Sequence, residues 1–318
     1  MKKVTLGKQG LVVPAIGLGC MGMSDFYGAS DATSNLKLLQ QAIELGCNFW
    51  DSSDIYGPFT NEELLAKALK HQRDKVVLAS KFGIVRNSSG DWLGVNGKPE
   101  YVKESCEASL RRLNTDYIDV YYQHRIDPDV PIEETVGAMA ELVVQGKVKY
   151  LGLSEADSET LRLANAVHPI SVLQTEYSLW SREVEAEILP TARELGIGFV
   201  AYSPLGRGFL SGTIKKTEDL QDDDWRLENP RFQQQALEHN QPLIHAIEIY
   251  AKQLNLTTAQ LSLAWLLAQG DDIVLIPGTR RYPYLQQNWL AQDVELSEAT
   301  VAELRALSNR FSVKGRRY

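Results

Sequence analysis

The stretch Cys47-Asn-Phe-Trp-Asp51-Ser-Ser-Asp-Ile-Tyr56-Gly57 decides how the rest of the chain is read. An apolar run with the character of a buried strand ends at Asp51, and a carboxylate and a phenol follow at once. Outward from it the pattern repeats. Val76-Val-Leu-Ala-Ser80 reads as a strand and ends in Lys81, and Tyr117-Ile-Asp-Val-Tyr-Tyr122 is another that runs into Gln123-His124. Successive strands that deliver polar, titratable residues at the same end are expected at the catalytic face of a parallel α/β sheet. Asp51, Tyr56, Lys81 and His124 are therefore expected to form one proton-donating site.

The alternation extends to both ends of the chain. Val4–Leu6 and Leu11–Val13 flank a glycine-bearing turn and read as a hairpin, and Ile16–Gly19 as the first core strand. Helical spacing of apolar residues from Asp31 to Leu45 stops at Gly46, and Thr60-Asn-Glu-Glu63 has the form of a capping box. Further strands are expected at 148–153, 171–174, 197–202 and 273–276. Helices are expected at 99–113, 131–144, 158–167, up to 195, between Leu243 and Ala268, after Pro283, and from Ser297 to Leu307. Eight strands each followed by helix imply right-handed crossovers and a closed (β/α)₈ TIM barrel, an α/β fold, with the hairpin plugging the end away from the site. No linker or break in composition appears, so residues 1–318 are read as one domain. The polar stretch from Leu205 to about Gln241, after the seventh strand, exceeds an ordinary connection and has the length of a lid, a binding loop or a disordered segment.

Composition narrows the function classes. The 318 residues are 44% hydrophobic and 23% charged, as in an ordinary globular chain, and the net charge of -8 argues against sequence-independent nucleic-acid binding. Cys20, Cys47 and Cys106 are widely spaced in apolar contexts and read as buried thiols rather than a disulfide framework or metal site. The N-terminus lacks a signal-peptide apolar region, and no run of about 18 apolar residues offers a membrane span. The expectation is a cytoplasmic enzyme with no membrane or nucleic-acid partner.

One motif competes for the role of nucleotide site. Gly17-Leu-Gly19-Cys-Met-Gly22 matches the dinucleotide fingerprint G-x-G-x-x-G, which needs a helix opening at its last glycine. Met23 to Gly28 delay the helix, so these glycines are read as a strand-to-loop passage, with a Rossmann dehydrogenase kept as an alternative. The strand-end set makes more chemical sense. A phenol is a poor acid at neutral pH unless its anion is stabilised; a lysine ammonium does that, and an aspartate holds the ammonium. Lys81, aided by Asp51, is thus expected to lower the Tyr56 pKa, while His124 orients the oxygen that takes the proton.

These residues carry a resemblance. Asp51-x4-Tyr56-Gly57, Ser80-Lys-Phe-Gly83, Asp116-Tyr-Ile-Asp119, His124-Arg-x-Asp127, Gly152-Leu-Ser154, Tyr202-Ser-Pro-Leu205 and Ile276-Pro-Gly-Thr279, in this order, make the chain resemble an aldo-keto reductase over essentially its whole length. It resembles most the NADPH-dependent aldehyde reductases of bacteria, fungi and plants whose seventh loop reads Ser203-Pro-Leu-Gly-Arg-Gly208. The resemblance implies NADPH/NADP+ as cofactor, a small aldehyde or ketone as substrate, and Asp51, Tyr56, Lys81 and His124 as the catalytic set. It also implies a nicotinamide stacked on Tyr202, with Ser154, Glu155 and Gln174 at its carboxamide, and cofactor contacts at Gly19, Met21, Gln287 and Asn288. Ser52-Ser53 departs from the family's usual Thr-Ala.

The seventh loop also makes sense from its chemistry. Ser203, Pro204, Leu205, Gly206, Arg207 and Gly208 offer a hydroxyl, exposed backbone N–H groups and a guanidinium to a pyrophosphate. Gly278-Thr279-Arg280-Arg281, just ahead of a helix, suits a further phosphate, the one that separates NADPH from NADH. Trp92 and Tyr27 fall in loops on the same side, as pocket lining or as packing. The C-terminal Lys314–Tyr318 is expected to be a solvated tail, with contact to the cofactor's edge or a second subunit as the lesser alternative. A barrel that binds NADPH as a sensor or regulatory subunit, without catalysis, is the alternative function; a monomer and a homo-oligomer are both left open.

Overall fold

The computed structural model describes residues 2–87 and 89–318. In chain order it contains β1 (Lys3–Leu6), β2 (Leu11–Pro14), β3 (Leu18–Gly19), α1 (Ala32–Leu45), β4 (Phe49–Asp51), α2 (Thr60–Leu69), β5 (Val77–Phe82), β6 (Ile84–Arg86), β7 (Trp92–Val95), α3 (Pro99–Leu113), β8 (Ile118–Gln123), α4 (Ile132–Val144), β9 (Val148–Ser154) and α5 (Ser158–Val167). There follow β10 (Val172–Glu176), α6 (Ile188–Leu195), β11 (Gly198–Tyr202), α7 (Gln234–Gln253), α8 (Thr258–Leu267), β12 (Ile273–Leu275), α9 (Tyr282–Leu290) and α10 (Glu298–Arg310).

Eight of the strands form one parallel sheet in the order β12-β11-β10-β9-β8-β5-β4-β3. It closes on itself through parallel bridges from Ile16 to Leu275 and from Gly19 to Gly278. The fold is the expected (β/α)₈ barrel. Its strands are apolar almost throughout because helices cover one face and the barrel interior the other. Phe49, Leu78, Val120, Leu173 and Phe199 are all fully buried, each burial contributing roughly 1.5–3 kcal/mol. Some of the helices start where a short polar side chain satisfies free N–H groups: Asp31 accepts from Ser34 N at 2.7 Å ahead of α1, and Asp157 from Thr160 N at 2.8 Å ahead of α5. The hairpin β1–β2 covers the end where the strands begin, its Leu6 lying against Gly198 at the start of β11.

The dinucleotide fingerprint dissolves in this frame. A short 3₁₀ turn, Met21–Met23, follows β3, and α1 opens only at Ala32, so the helix that the fingerprint needs at its last glycine does not open there. Close strand packing explains them instead. A Cβ on Gly17 would lie 2.6 Å from Phe49 O, and one on Gly19 2.8 Å from Ile276 O.

Other expectations need correction. Thr60 does not cap α2: the N-cap is Phe59, at φ 69°, and Thr60 Oγ1 donates to Gly57 O at 3.0 Å. Asn61 and Glu62 turn inward instead, because α2 packs its first turn against the barrel. Asn61 Nδ2 donates to Cys20 O at 2.8 Å, and Glu62 accepts from Ser80 Oγ at 2.6 Å. The antiparallel pair β6–β7, an excursion after β5, has no counterpart in the sequence reading. The stretch after β11 is folded rather than loose. Its two phenylalanines are fully buried: Phe209 stacks on Trp180 at 4.4 Å, and Phe232 meets the same indole edge-on. Helix α7 begins at Gln234, ahead of the expected Leu243, since its glutamine-rich first turn shows little apolar periodicity and Pro242 lies inside it.

The C-terminal tail is tethered rather than free, although Lys314, Arg316 and Tyr318 stay exposed. It folds back across the C-terminal end of the barrel, where Asn240 receives Lys314 N at 2.9 Å, Asn229 Nδ2 donates to Arg317 O at 3.1 Å, and Arg317 pairs with Glu155.

Candidate active site

Parallel pairing sets the floor of the site. Asp51 is the last residue of β4, Lys81 lies near the end of β5, and His124 follows β8 directly, its backbone N–H donating to Phe82 O at 2.7 Å. Tyr56 lies on the turn between β4 and α2. All four side chains are buried, Lys81 completely. Lys81 Nζ donates to Asp51 Oδ1, to Ser52 O at 2.7 Å and to Tyr56 Oη at 3.3 Å. The other Asp51 oxygen accepts from Gln174 Nε2 at 2.7 Å. The His124 ring stands edge-on to Tyr56, with centroids 6.0 Å apart. The four residues singled out in the sequence are thus brought together.

Their electrostatics follow from burial. Desolvation, with Lys81 and Arg125 adding to it, holds the His124 imidazole well below its ordinary 6.5, so the ring is neutral. Burial pulls the Lys81 ammonium below its usual value, against the charge and hydrogen bond of Asp51. For Tyr56 the direction is opposite to the expectation. Burial and then the Asp51 carboxylate push the phenol well above its ordinary 10. The resting side chain is a protonated phenol, and the nearby ammonium acts on whatever negative charge develops on its oxygen.

Above this floor opens a cleft of about 1330 Å³. Of the residues expected at a cofactor, all except Glu155 and Gly206 line it. Ser154 and Gln174 are register partners on β9 and β10, and Tyr202 ends β11 beside Glu176. Ser203, Gly206, Arg207 and Gly208 all have positive φ, which turns the loop sharply after β11. Asn288 is buried and Gln287 half-buried on α9.

The rim differs from expectation in three side chains, Arg207, Arg280 and Glu155. Arg207 is buried, its Nη2 donating to Glu176 Oε2 at 2.9 Å, while its Nη1 has no partner among the described residues. Arg280 spans three backbone carbonyls, donating to Tyr27 O at 2.9 Å, Gly28 O at 3.2 Å and Ala29 O at 2.7 Å, so its guanidinium is spent on the loop ahead of α1. Arg281 is exposed at the N-cap of α9, and among the described residues its guanidinium makes no hydrogen bond. Glu155 faces away from the cleft, receiving Glu176 N at 3.0 Å and Arg317.

Three further residues belong to the site. Glu176, fully buried, gathers Arg207, Arg231 at 3.3 Å and Ser181 at 2.8 Å. Its position two residues beyond Gln174 puts it on the same face of β10, a signal the strand period contains. Arg125 reaches from the cleft to His124 O at 2.7 Å and Ser154 Oγ at 3.3 Å. Tyr318, the last residue, has its Oη 2.6 Å from Tyr202 Oη; nothing local in the sequence marks that contact. Trp92 and Tyr27 both line the cleft, as do Phe26 and Trp225, which meet edge-on at 6.1 Å.

Features that suit a dinucleotide phosphate group are present: a sharp turn at 203–208, a buried guanidinium nitrogen at Arg207 without a partner among the described residues, and a free arginine at a helix N-terminus. A barrel with a buried Asp-Lys-Tyr cluster and a neutral histidine at its C-terminal face is the framework of a barrel oxidoreductase. A sequence profile of the aldo/keto reductase family matches residues 15–309, and the chain belongs to that family. Solved structures agree. The chain is similar to the thermostable aldo-keto reductase Tm1743, crystallised with the inhibitor epalrestat, at 31% identity over 96% of this chain and 100% of that one, with a TM-score of 0.78. It is similar to an aldo/keto reductase from Klebsiella pneumoniae, solved with NADP and acetate, at 27% identity over 99% and 98% of the two chains and a TM-score of 0.74. The fold also matches the glycerol dehydrogenase AKR11B4 from Gluconobacter oxydans, at 23% identity, 99% and 97% coverage and a TM-score of 0.89. Membership of the family makes the chain an oxidoreductase of carbonyl compounds. Among the described residues, no helix is long and apolar enough to cross a membrane.

Proposed function

We propose that the chain reduces small aldehydes or ketones to alcohols with NADPH, and that Tyr56 supplies the proton. The observation that carries this reading is Lys81 Nζ, held by Asp51 and lying 3.3 Å from Tyr56 Oη on the floor of the cleft. The cofactor is NADP(H). Tyr202 offers its ring to the nicotinamide, Ser154 and Gln174 their polar groups to the carboxamide, loop 203–208 its N–H groups to the pyrophosphate, and Arg281 with the N-terminus of α9 a place for the 2′-phosphate. When bound, the cofactor supplies a hydride.

The chain's own residues do the rest. Tyr56 holds the proton and gives it to the carbonyl oxygen as charge builds there. Lys81 stabilises the phenolate this leaves, at a distance where a buried ammonium acts strongly. Asp51 keeps Lys81 pointed at the phenol, and His124, neutral, donates a hydrogen bond that orients the carbonyl oxygen. Met21, Phe26, Trp92 and Trp225 give the outer cleft an apolar wall that favours a substrate with hydrocarbon or aromatic character.

The test is Tyr56→Phe, assayed with methylglyoxal and a nitrobenzaldehyde. Turnover should fall by at least about 10²-fold, the range of a lost general acid, with NADPH affinity almost unchanged. Undiminished turnover in the variant would remove Tyr56 from the role of donor. A wild-type protein that binds NADPH but turns over neither aldehyde would favour a sensor or regulatory subunit.

A further inference from the structure

The turn that delivers Tyr56 also carries Ser53 and Asp54, and neither has a part in the reaction described so far. Ser53 is fully buried and Asp54 is 4% exposed. Ser53 Oγ lies 3.0 Å from His124 Nδ1, 3.2 Å from Asp54 Oδ1 and 3.5 Å from Lys81 O. Among the described residues, Ser53 is the partner of the His124 ring and the side-chain partner of the Asp54 carboxyl.

We propose that Ser53 and Asp54 are positioning residues that fix which ring nitrogen of His124 carries the proton, through a chain running from the Asp54 carboxyl to Ser53 Oγ to His124 Nδ1. The inference rests on the reading of His124 as the donor to the carbonyl oxygen. A serine hydroxyl has one proton to give and lone pairs to accept with. Donation to the Lys81 carbonyl is the longest of its three contacts, at 3.5 Å, so two directions remain that use the two shorter ones. With Asp54 as the neutral acid, Asp54 donates to Ser53, Ser53 donates to Nδ1, and the ring proton sits on Nε2. With Asp54 ionised, Ser53 donates to the carboxylate and accepts from Nδ1–H, which leaves Nε2 a bare lone pair that cannot donate to a carbonyl.

The surroundings of Asp54 choose the first direction. The titratable groups facing it are Glu62 from α2, Arg112 and Tyr101 from α3, and Tyr121 from β8. Arg112 is the only cation among them, and its Nε is spent on Glu62 Oε2 at 2.6 Å. Asp54 is thus a buried carboxyl beside a buried carboxylate without a cation of its own. Burial and then Glu62 raise its pKa well above the usual carboxyl range. On the other side, Lys81 and Arg125 face His124 and, with burial, keep the ring neutral. A neutral ring needs its tautomer set by the hydrogen bond at its second nitrogen, and Ser53 makes that bond.

The experiment is ¹⁵N-histidine NMR of the full chain saturated with NADP+, with the His124 signals identified by their loss in His124→Gln, alongside kcat and KM for an aldehyde. Wild type should show the Nε2–H tautomer. Ser53→Ala should populate the Nδ1–H tautomer and lower kcat/KM roughly tenfold, the size of one hydrogen bond's loss, with NADPH affinity unmoved. Asp54→Asn keeps an N–H donor toward Ser53 and should restore the wild-type tautomer and most of kcat/KM, whereas Asp54→Leu should behave like Ser53→Ala. An unchanged tautomer in Ser53→Ala would overturn the proposal, and so would an Asp54→Asn protein as impaired as Asp54→Leu. If Ser53→Ala fails to fold, the two Asp54 variants decide the matter alone. Should His124→Gln turn over normally, the reading of the site would fall while the NMR still located the proton.

Discussion

The floor and the rim of the cleft are built by different means. On the floor, Asp51, Lys81 and His124 sit at or just past the ends of neighbouring parallel strands, and their mutual distances follow from ladder register. On the rim, Arg207, Arg280 and Arg317 hang on irregular backbone and have settled on partners inside the protein: Glu176, three carbonyls of residues 27–29, and Glu155. The floor has one arrangement because the barrel permits no other. A rim cation can serve either a ligand or a neighbouring carboxylate, and which it serves depends on what else the fold has put within reach.

Lys81→Met is the harshest test of the floor. It removes the charge beside the phenol and leaves Asp51 buried without its ammonium. The kcat should fall by about 10²–10³-fold, as when a preorganised electrostatic partner is lost. Unpairing a buried charge should also cost stability, on the order of 3–5 kcal/mol, measurable by urea unfolding. A variant that loses activity but no stability would mean that Asp51 is adequately held by Gln174 alone.

The rim is tested by a pair of arginines that the sequence treats as equals. Arg281→Ala should weaken NADPH binding roughly 10–100-fold, the value of a charge-assisted hydrogen bond, and leave NADH binding nearly untouched, both read by fluorescence titration. Arg280→Ala should show no such selectivity, since its guanidinium braces the loop ahead of α1; both cofactors should weaken together and the melting temperature should drop. If Arg280→Ala alone abolishes the preference for NADPH, its contacts with residues 27–29 must be exchanged for the phosphate on binding.

What the sequence made legible divides along the same line. Asp51, Lys81 and His124 stood at the ends of apolar runs, with Tyr56 in the turn after the first of them, and a strand's length and period leave few places for such a strand-end residue to point. The barrel followed from the same alternation. Ser53 was visible only as a departure at a buried position; its distance to His124 depends on how tightly the turn after β4 folds. Arg207 read as a phosphate ligand because loop chemistry is a local signal, whereas the carboxylate that holds it lies on β10, far away in the chain. The anchoring of the tail and the internal packing of the 205–241 stretch were not legible, because polar composition cannot report hydrogen bonds to partners distant in sequence. Their anchors, Glu176, Asn229 and Asn240, are single buried polar residues rather than apolar patterns.

The smallest effect concerns the place where rim and floor meet. Tyr318 joins Tyr202 through one hydrogen bond at 2.6 Å while its ring remains about half exposed (54%). Arg125 adds a long contact of 3.4 Å to the same hydroxyl. Water competes for such a bond, so Tyr318→Phe should cost no more than about 0.5–1.5 kcal/mol. The tail would stay in place, because Asn229, Asn240 and Glu155 hold it independently. The informative readout is therefore the NADPH dissociation rate. Tyr202 with a free hydroxyl should exchange cofactor a few-fold faster if Tyr318 steadies the ring proposed to stack on the nicotinamide. An unchanged rate would show that the tail braces only the rim and has no hold on the floor.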